Sequence, residues 1–207
     1  MISRLYAIVD AGVLAARGIR LRKFAVGLRA AGVGLVQYRD KTGSPQEVLR
    51  AGSVLRELFA GTDCQLILND RADLALLASF DGVHVGQCDL SPEDARSVVG
   101  AGRIVGVSTH TEEQGRAADA SRADYVAIGP VFATGTKADT EPVVGLEGVR
   151  RARALTTKPL VAIGGITREN ARSVIEAGAD SVAVISALLA EGESVEKVAR
   201  DFLELLR

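Results

Sequence analysis

The amino-acid sequence predicts a single-domain (β/α)8 TIM barrel. Eight short segments rich in Val, Ile and Leu recur along the chain, and most are followed by a turn and a segment with helical spacing. Their nearly continuous apolar content, without apolar–polar alternation, is typical of parallel strands that helices cover. The alternative fold is an open doubly wound sheet, in which functional residues gather mainly at one switch point. Here polar residues follow most of the predicted strands, which favours a barrel with its functional residues around one rim. The predicted strands begin near Leu5, Leu35, Gln65, Gly82, Ile104, Tyr125, Leu160 and Ser181.

The helices between the strands are indicated by their first residues. Ser44 and Thr111 each precede a Glu or Gln by three positions, which is the pattern of a capping box. Ser91 is followed by Pro and two acidic residues, a second type of helix start. Thr167 is expected to open a further helix, and Gly178 to end it. Helices therefore alternate with the strands along the chain.

The composition is that of a globular domain and limits the possible partners. The 207 residues include 25 Lys and Arg against 26 Asp and Glu, a net charge of −1, and 47% are hydrophobic. Such a chain has no broad electrostatic attraction to nucleic acid or to an anionic membrane, so we expect neither as a partner. The segment from Met1 to Asp10 resembles a strand and not a signal peptide, and Ser181 to Ala190 is too short to span a bilayer. We expect a cytoplasmic protein, with residues 1–207 forming one domain because no Ser- or Pro-rich linker interrupts them.

The cysteines and histidines do not suggest covalent or zinc chemistry. Cys64 and Cys88 lack a Cys-x-x-Cys spacing, so we expect free, buried thiols. His84 lies between valines inside a predicted strand, where a hydrogen-bonded core residue is more common than a catalyst. His110 lies beside a helix start, and neither a Ser-His-Asp arrangement nor a GxGxxG motif is present.

A cationic group follows the second predicted strand. Gln37, Arg39 and Lys41 alternate, so in an extended chain their side chains point the same way and could receive a polyanion. The alternative is that Arg39 and Lys41 pair with Asp40 or with other carboxylates of the rim.

Two carboxylates end neighbouring predicted strands. Asp70 and Asp89 would meet at the rim, and two carboxylates suit Mg²⁺, which takes its other oxygens from water and substrate phosphates. Alternatively, Asp70 pairs with Arg71 or caps a helix, and Asp89 pairs with Arg39. Because cations and carboxylates share one rim, the sequence favours a site for Mg²⁺ and a diphosphate.

Two further segments could hold a phosphate. The hydroxyl-rich loop Thr134-Gly135-Thr136-Lys137 offers backbone amides and a cation, although a polar loop without function has a similar composition. Gly164 and Gly165 follow the seventh strand, and Ser186 follows the eighth, which is where many barrels bind phosphate.

Several ordered motifs together resemble one family over essentially the full chain. They are VQYRDK at 36–41, LNDR at 68–71, DGVHVGQ at 81–87 with Asp89, VST at 107–109, GPVF at 129–132, TGTK at 134–137 and AIGGI at 162–166. The chain resembles the thiamine phosphate synthase family. Two departures are Cys88 before Asp89, and Gly135 where family members often carry proline.

The resemblance implies a Mg²⁺-dependent transferase with two small phosphorylated substrates and no protein nucleophile. Hydroxymethylpyrimidine diphosphate and thiazole phosphate would be joined to give thiamine phosphate and diphosphate. The residues implied to contact the pyrimidine diphosphate are Gln37, Tyr38, Arg39, Asp40, Lys41, Asn69, Ser108 and Lys137, of which Arg39, Lys41, Ser108 and Lys137 are the implied catalytic residues. Those implied for the thiazole phosphate are Thr134, Gly135, Thr136, Gly165, Ile185 and Ser186. Asp70 and Asp89 would hold Mg²⁺.

Two other functions are compatible with a barrel of this kind. A thiazole tautomerase-like relative would share the phosphate site but would need neither Mg²⁺ nor a diphosphate site. A catalytically silent thiamine-precursor binding module would not need to place a metal beside a leaving group. The polar set at Gln37, Arg39, Lys41, Asp70 and Asp89 argues against both. A homodimer is a further expectation.

Overall fold

The computed structural model describes residues 2–135 and 142–207, and these form a closed barrel of eight parallel strands. Each strand pairs with the next in chain order, and the eighth pairs with the first. The strands are β1 Leu5–Asp10, β2 Leu35–Arg39, β3 Gln65–Asn69, β4 Gly82–Val85, β5 Ile104–Thr109, β6 Tyr125–Ile128, β7 Leu160–Ile163 and β8 Ser181–Val184. The predicted barrel is confirmed, and all eight strands begin at the residues expected from the sequence.

Helices surround the barrel. They are α1 Ala11–Ala16, α2 Leu21–Ala31, α3 Pro45–Phe59, α4 Ala72–Leu77, α5 Pro92–Val99, α6 Glu112–Ala120, α7 Gly145–Leu155, α8 Ala171–Glu176 and α9 Val195–Leu205, with a short 3₁₀ helix at Ser186–Leu188. Two helices follow β1, and the second of them packs against α9, which closes the outer ring. In the described part of the chain, no helix has the length and apolar character that crossing a membrane requires.

Three of the predicted helix starts are confirmed. Ser44 Oγ accepts the amide proton of Glu47, whose carboxylate accepts the Ser44 amide proton at 2.8 Å. Thr111 forms the corresponding reciprocal pair with Gln114, and Ser91 caps α5. Local spacing alone specifies these caps, because each partner lies three residues away.

The start of α8 differs from the prediction. Thr167 does not cap this helix, which begins only after Asn170. The side-chain Oδ1 of Asn170 instead accepts the amide proton of Thr167 at 2.8 Å, which folds the intervening residues into a turn. Gly178 lies just beyond the end of α8 with φ of 113°, as expected of a helix-terminating glycine.

Side chains alternate between the inside of the barrel and the layer beneath the helices. In β1, Leu5, Ala7 and Val9 belong to the outer layer, while Tyr6 and Ile8 point inward. The buried apolar and aromatic residues of the interior are Tyr6, Ile8, Leu35, Ile67, Tyr125, Ala127, Val161 and Ala183. Both faces of the strands are therefore buried, which explains their continuous apolar sequence.

A repeated aspartate anchors the end of the barrel opposite the strand C-termini. One aspartate directly precedes each of β4, β6 and β8, and its Oδ2 accepts a backbone amide proton of the preceding strand at 2.7–2.8 Å. These residues are Asp81, Asp124 and Asp180. Their arginine partners on α3, α5 and α7 are Arg56, Arg96 and Arg153. This end is held by structural ion pairs, and the other end carries the predicted functional residues.

The two cysteines are free, but the expectation that both are buried is wrong. Cys88 is exposed and Cys64 is half-buried. Burial raises the pKa of the Cys64 thiol to about 12, so this side chain stays protonated near neutral pH.

Candidate active site

Two ion pairs join the cations of the rim to carboxylates. The Arg39 guanidinium pairs with Asp10 at the end of the neighbouring strand β1, where the two residues lie in register. The Lys41 Nζ atom lies 2.5 Å from Asp70 Oδ2. Arg39 and Lys41 therefore do pair with rim carboxylates, which was the alternative to a free anion site. Their partners are Asp10 and Asp70, and Asp40 pairs with neither.

Tyr38 and Asp40 shape the loop that carries Lys41. The Tyr38 side chain lies in the layer between barrel and helices, and its hydroxyl donates to Asp40 Oδ2 at 3.1 Å. Asp40 Oδ1 accepts the Thr42 amide proton at 3.1 Å and the Gly43 amide proton at 2.7 Å. A Cβ at Gly43 would lie 2.2 Å from Asp40 Oδ2, so glycine is needed there. The structure gives these two side chains a supporting role, and their contact with substrate stays a prediction.

Asp70 and Asp89 come together as predicted. Asp70 has a φ of 64°, and Asp89 Oδ2 accepts the Gly86 amide proton at 2.8 Å. Burial raises the pKa of the Asp70 carboxyl, Lys41 lowers it, and the adjacent Asp89 side chain raises it further. The two carboxylates are thus close enough to repel one another, a situation that a bound cation relieves.

The other partners considered for these carboxylates are wrong. Arg71 pairs with Asp73 at 2.6 Å instead of Asp70. Arg39 pairs with Asp10 instead of Asp89, and Asp89 accepts a hydrogen bond from the Gly86 amide.

The donor set at this point of the rim fits Mg²⁺. Among residues 2–135 and 142–207 no group of three or more His, Cys, Asp or Glu could hold a metal. Mg²⁺ does not need one, because it binds one or two carboxylates together with waters and substrate phosphates. The neighbouring Asn69 Nδ2 atom is buried and has no hydrogen-bond partner within the described residues. Asn69 is therefore an amide donor available to an anion beside Asp70 and Asp89.

A cavity of about 410 Å³ opens beside the rim. Its size is within the usual range of small-molecule sites, and most of its lining is apolar. The predicted residues that line it are Ser108, Thr134, Gly164, Gly165, Ile185 and Ser186. Arg17, which the sequence interpretation did not single out, lines the same cavity. The structure thus gathers three of the predicted hydroxyl side chains, two glycines and a cation around one space.

The loops after β6 and β7 fit together at this cavity because of two glycines. Gly164 and Gly165 have φ values of 105° and 63°. A Cβ on Gly164 would lie 2.6 Å from Pro130 Cα, and a Cβ on Gly165 would lie 2.6 Å from the Ala133 carbonyl oxygen. The pair therefore lets the two loops pack closely. Thr136 and Lys137 lie outside the described residues.

A hydrogen-bonded chain of buried side chains crosses the barrel interior beneath the rim. Gln37 Nε2 donates to the Tyr6 hydroxyl at 2.8 Å, and the Tyr6 and Tyr125 hydroxyls are 2.9 Å apart. His84 Nδ1 lies 2.8 Å from the Tyr125 hydroxyl, and His84 Nε2 lies 2.8 Å from Ser108 Oγ. His84 is therefore a hydrogen-bonded core residue, as predicted.

Sequence reasoning missed Asp10, Tyr6 and Tyr125. A signal was present for Asp10, because it directly ends the first strand. For the tyrosines the signal was weaker: each occupies an inward position of a strand, where a polar group on an aromatic ring needs a partner.

Comparisons with known proteins identify the family of this chain. The family model described as thiamine monophosphate synthase matches residues 5–188. A thiamine-phosphate synthase of Koribacter versatilis is 55% identical over 205 residues, covering 98% of this chain and 95% of the relative. That of Chloroflexus aurantiacus is 40% identical, covering 98% and 92%. The solved thiamine phosphate pyrophosphorylase of Pyrococcus furiosus superimposes with a TM-score of 0.86 at 32% identity, covering 98% of this chain and 95% of that one.

These similarities extend over the whole barrel and include both the rim and the cavity. The chain belongs to the thiamine monophosphate synthase family, and it is a transferase of thiamine biosynthesis.

Proposed function

We propose that the chain joins hydroxymethylpyrimidine diphosphate to thiazole phosphate, forming thiamine phosphate and releasing diphosphate with the help of Mg²⁺. The observation that carries this proposal is the meeting of Lys41, Asp70 and Asp89 at the rim, beside the buried donor of Asn69. Cations and carboxylates at one point suit a metal-bound diphosphate, because each sign of charge has a counterpart in that ligand.

The diphosphate end of the reaction would use the cations of the rim. The bond between the pyrimidine methylene carbon and the diphosphate oxygen breaks, and its electron pair leaves with diphosphate. Arg39 and Lys41 would stabilise the developing negative charge, and Lys137 is predicted to join them. Mg²⁺, held by Asp70 and Asp89, would neutralise further charge on the leaving group. The thiazole nitrogen lone pair then forms the new bond to the methylene carbon.

The thiazole end would occupy the cavity beside the rim. Its apolar walls suit a thiazole ring, and its phosphate would meet the backbone near Gly165 and Ser186, with the Thr134 loop alongside. The cavity reaches Ser108, one of the predicted pyrimidine contacts. A ligand here would therefore lie next to the pyrimidine, as a reaction between the two substrates requires.

The direct test is incubation of the purified chain with both substrates, with Mg²⁺ or with EDTA, followed by measurement of thiamine phosphate and diphosphate. We expect both products in equal amounts and only with Mg²⁺. Isomerisation of a thiazole without metal would instead favour the tautomerase-like function. Binding of substrates without turnover would favour a silent module.

Two substitutions test the site. We expect Asp70→Asn and Lys41→Ala to lower turnover by on the order of 10²-fold, because the first removes a carboxylate that would hold Mg²⁺ and the second removes a cation that would face the leaving group. Raising the Mg²⁺ concentration is expected to restore part of the activity of Asp70→Asn but none of that of Lys41→Ala. The matched control is Asp73→Asn, the same change at a carboxylate that pairs with Arg71 on the surface. Near-normal activity in both site variants, with circular dichroism unchanged, would contradict the assignment.

A further inference from the structure

Ring packing adds to the hydrogen bonds that hold Tyr6 and Tyr125 in place in the barrel interior. The Tyr6 and Tyr125 rings meet edge to face with centroids 6.0 Å apart, and Tyr125 stacks on His84 at 5.5 Å. A Cβ at Gly106 would lie 2.0 Å from Tyr125 Cζ, so only glycine leaves room for the ring at this position. Gln37 and Ser108, the two ends of the hydrogen-bonded chain, are predicted to contact substrate in the proposed reaction. The three residues between them, Tyr6, Tyr125 and His84, have no assigned role in it.

The first donor, Gln37, defines one consistent direction for the hydrogen bonds of the interior chain. Burial raises the pKa values of Tyr6 and Tyr125 above the ordinary range, so both remain hydroxyls with one proton each. Gln37 donates to Tyr6. If each hydroxyl donates once in the same direction, the Tyr6 proton goes to the Tyr125 oxygen and the Tyr125 proton goes to His84 Nδ1. With Nδ1 as an acceptor, the imidazole carries its proton on Nε2 and donates it to the oxygen of Ser108.

This direction sets what the two ends of the chain offer to a ligand. Gln37, with its Nε2 engaged below, has its carbonyl Oε1 left as an acceptor. Ser108, which accepts from His84, has its own hydroxyl proton left to donate. Gln37 is on β2 and Ser108 on β5, so they flank the barrel mouth from different sides. An aminopyrimidine matches them, since its amino group donates and its ring nitrogen accepts.

We propose that Tyr6, Tyr125 and His84 are positioning residues whose directional hydrogen bonds fix Gln37 as an acceptor and Ser108 as a donor, and so select an amino- over an oxo-pyrimidine. This proposal rests on the proposed function, because it names how that site recognises its pyrimidine. If the hydrogen bonds ran in the opposite direction, Gln37 would present its amide nitrogen to the ligand and would favour an oxo-pyrimidine instead.

The tautomer of His84 tests the direction without any measurement of activity. The chain has two histidines, and His110 Nδ1 lies 2.6 Å from the Gly129 carbonyl oxygen, which can only accept. At about pH 8.5, well above the ordinary histidine pKa of about 6.5, ¹⁵N NMR is expected to show His110 protonated on Nδ1 and His84 on Nε2. The spectrum of His84→Asn assigns the two signals. Protonation of His84 on Nδ1 would overturn the proposal.

Two conservative variants test the positioning role. In Tyr125→Phe, Nδ1 of His84 loses its donor, so we expect the Nε2-protonated tautomer to lose its dominance. In Tyr6→Phe the Gln37 amide can turn over, so we expect the preference for the amino- over the oxo-pyrimidine diphosphate in kcat/KM to fall roughly tenfold. The KM for thiazole phosphate should stay unchanged in both variants.

The matched control is Thr156→Val, which removes a buried hydroxyl bonded to Asp119 outside the barrel. It should alter neither the substrate preference nor the His84 tautomer, and thermal melts of all variants report on folding. An unchanged substrate preference in folded Tyr6→Phe would overturn the selection role. If the wild-type chain made no thiamine phosphate, the proposed function and the selection role would fail together, while the tautomer would still decide the direction of the hydrogen bonds.

Discussion

Gly106 offers a sharp test of how the barrel interior is packed. This residue lies on β5 directly against the ring of Tyr125. In Gly106→Ala the new methyl carbon would lie 2.0 Å from Cζ and 2.3 Å from the hydroxyl oxygen of that ring. Carbon atoms in contact normally stay about 3.5–4.0 Å apart, so the ring has to move by more than about 1 Å. Tyr6 and His84 contact the ring on its other sides, so the movement breaks its hydrogen bonds to them.

The size of the effect follows from these contacts. Overpacking a buried site costs about 1–3 kcal/mol, and each broken buried hydrogen bond adds about 1 kcal/mol. We therefore expect Gly106→Ala to lower the free energy of unfolding by roughly 3–5 kcal/mol. For a domain of this size that corresponds to a fall in Tm of roughly 6–20 °C.

Gly34→Ala is the matched control for this measurement. Its nearest neighbour is Ser3 Oγ, at 3.5 Å from the added Cβ, which is an ordinary contact. Loss of unfolded-state entropy should leave that variant equal to the wild type or up to about 1 kcal/mol more stable. Urea unfolding gives the free energy of unfolding of both variants, and thermal melts give their Tm values. If Gly106→Ala melted within about 2 °C of Gly34→Ala, the Tyr125 ring would have room to spare beside β5, and the inferred tight packing would be wrong.

Two further predictions concern charged groups away from the site. Arg96→Ala should lower the free energy of unfolding by about 2–3 kcal/mol in urea titrations, because the buried Arg96 guanidinium donates to backbone carbonyl oxygens. The control is Arg116→Ala on an exposed helix face, which should change the free energy of unfolding by at most about 0.5 kcal/mol. The Glu193 carboxylate is held by Arg168 and Lys197, which lower its pKa from 4.5 to about 2, so its stabilising effect is present above pH 4.5 and is lost as the pH falls towards 2. Glu193→Gln should accordingly shift the urea midpoint more at about pH 6 than at about pH 3, and an equal shift at both would contradict this.

The fold could be predicted from the sequence because its determinants are local. Buried parallel strands give continuous apolar runs, so every strand start was found. The caps at Ser44 and Thr111 need only a partner three residues away. Thr167 failed for a related reason: Asn170, also three residues away, competes for the same backbone and turns the chain before the helix begins.

The grouping of Lys41, Asp70 and Asp89 could be predicted, but the ion pairs and hydrogen bonds of the rim and the interior could not. Barrel topology alone brings the ends of β2, β3 and β4 to one rim, so Lys41, Asp70 and Asp89 could be grouped in advance. The pairing of Arg39 with Asp10 depends on the register between β1 and β2, which the sequence does not reveal. The interior hydrogen-bond chain depends further on ring orientations that Gly106 permits.

The two cations of the rim differ in what a ligand has to displace. The Arg39–Asp10 pair is largely buried, with side-chain exposures of 17% and 6%, and Asp10 also accepts the Val13 amide proton at the start of α1. Removing Arg39 would leave that carboxylate buried without its partner and would disturb the helix start. Lys41 is 50% exposed and its partner Asp70 is 17% exposed, so this ion pair is more open to solvent than Arg39–Asp10 and is expected to contribute less to stability. The proposed diphosphate would therefore displace Asp70 from Lys41 more easily than Asp10 from Arg39, and Lys41→Ala is expected to test anion binding with a smaller folding penalty than loss of Arg39 would bring.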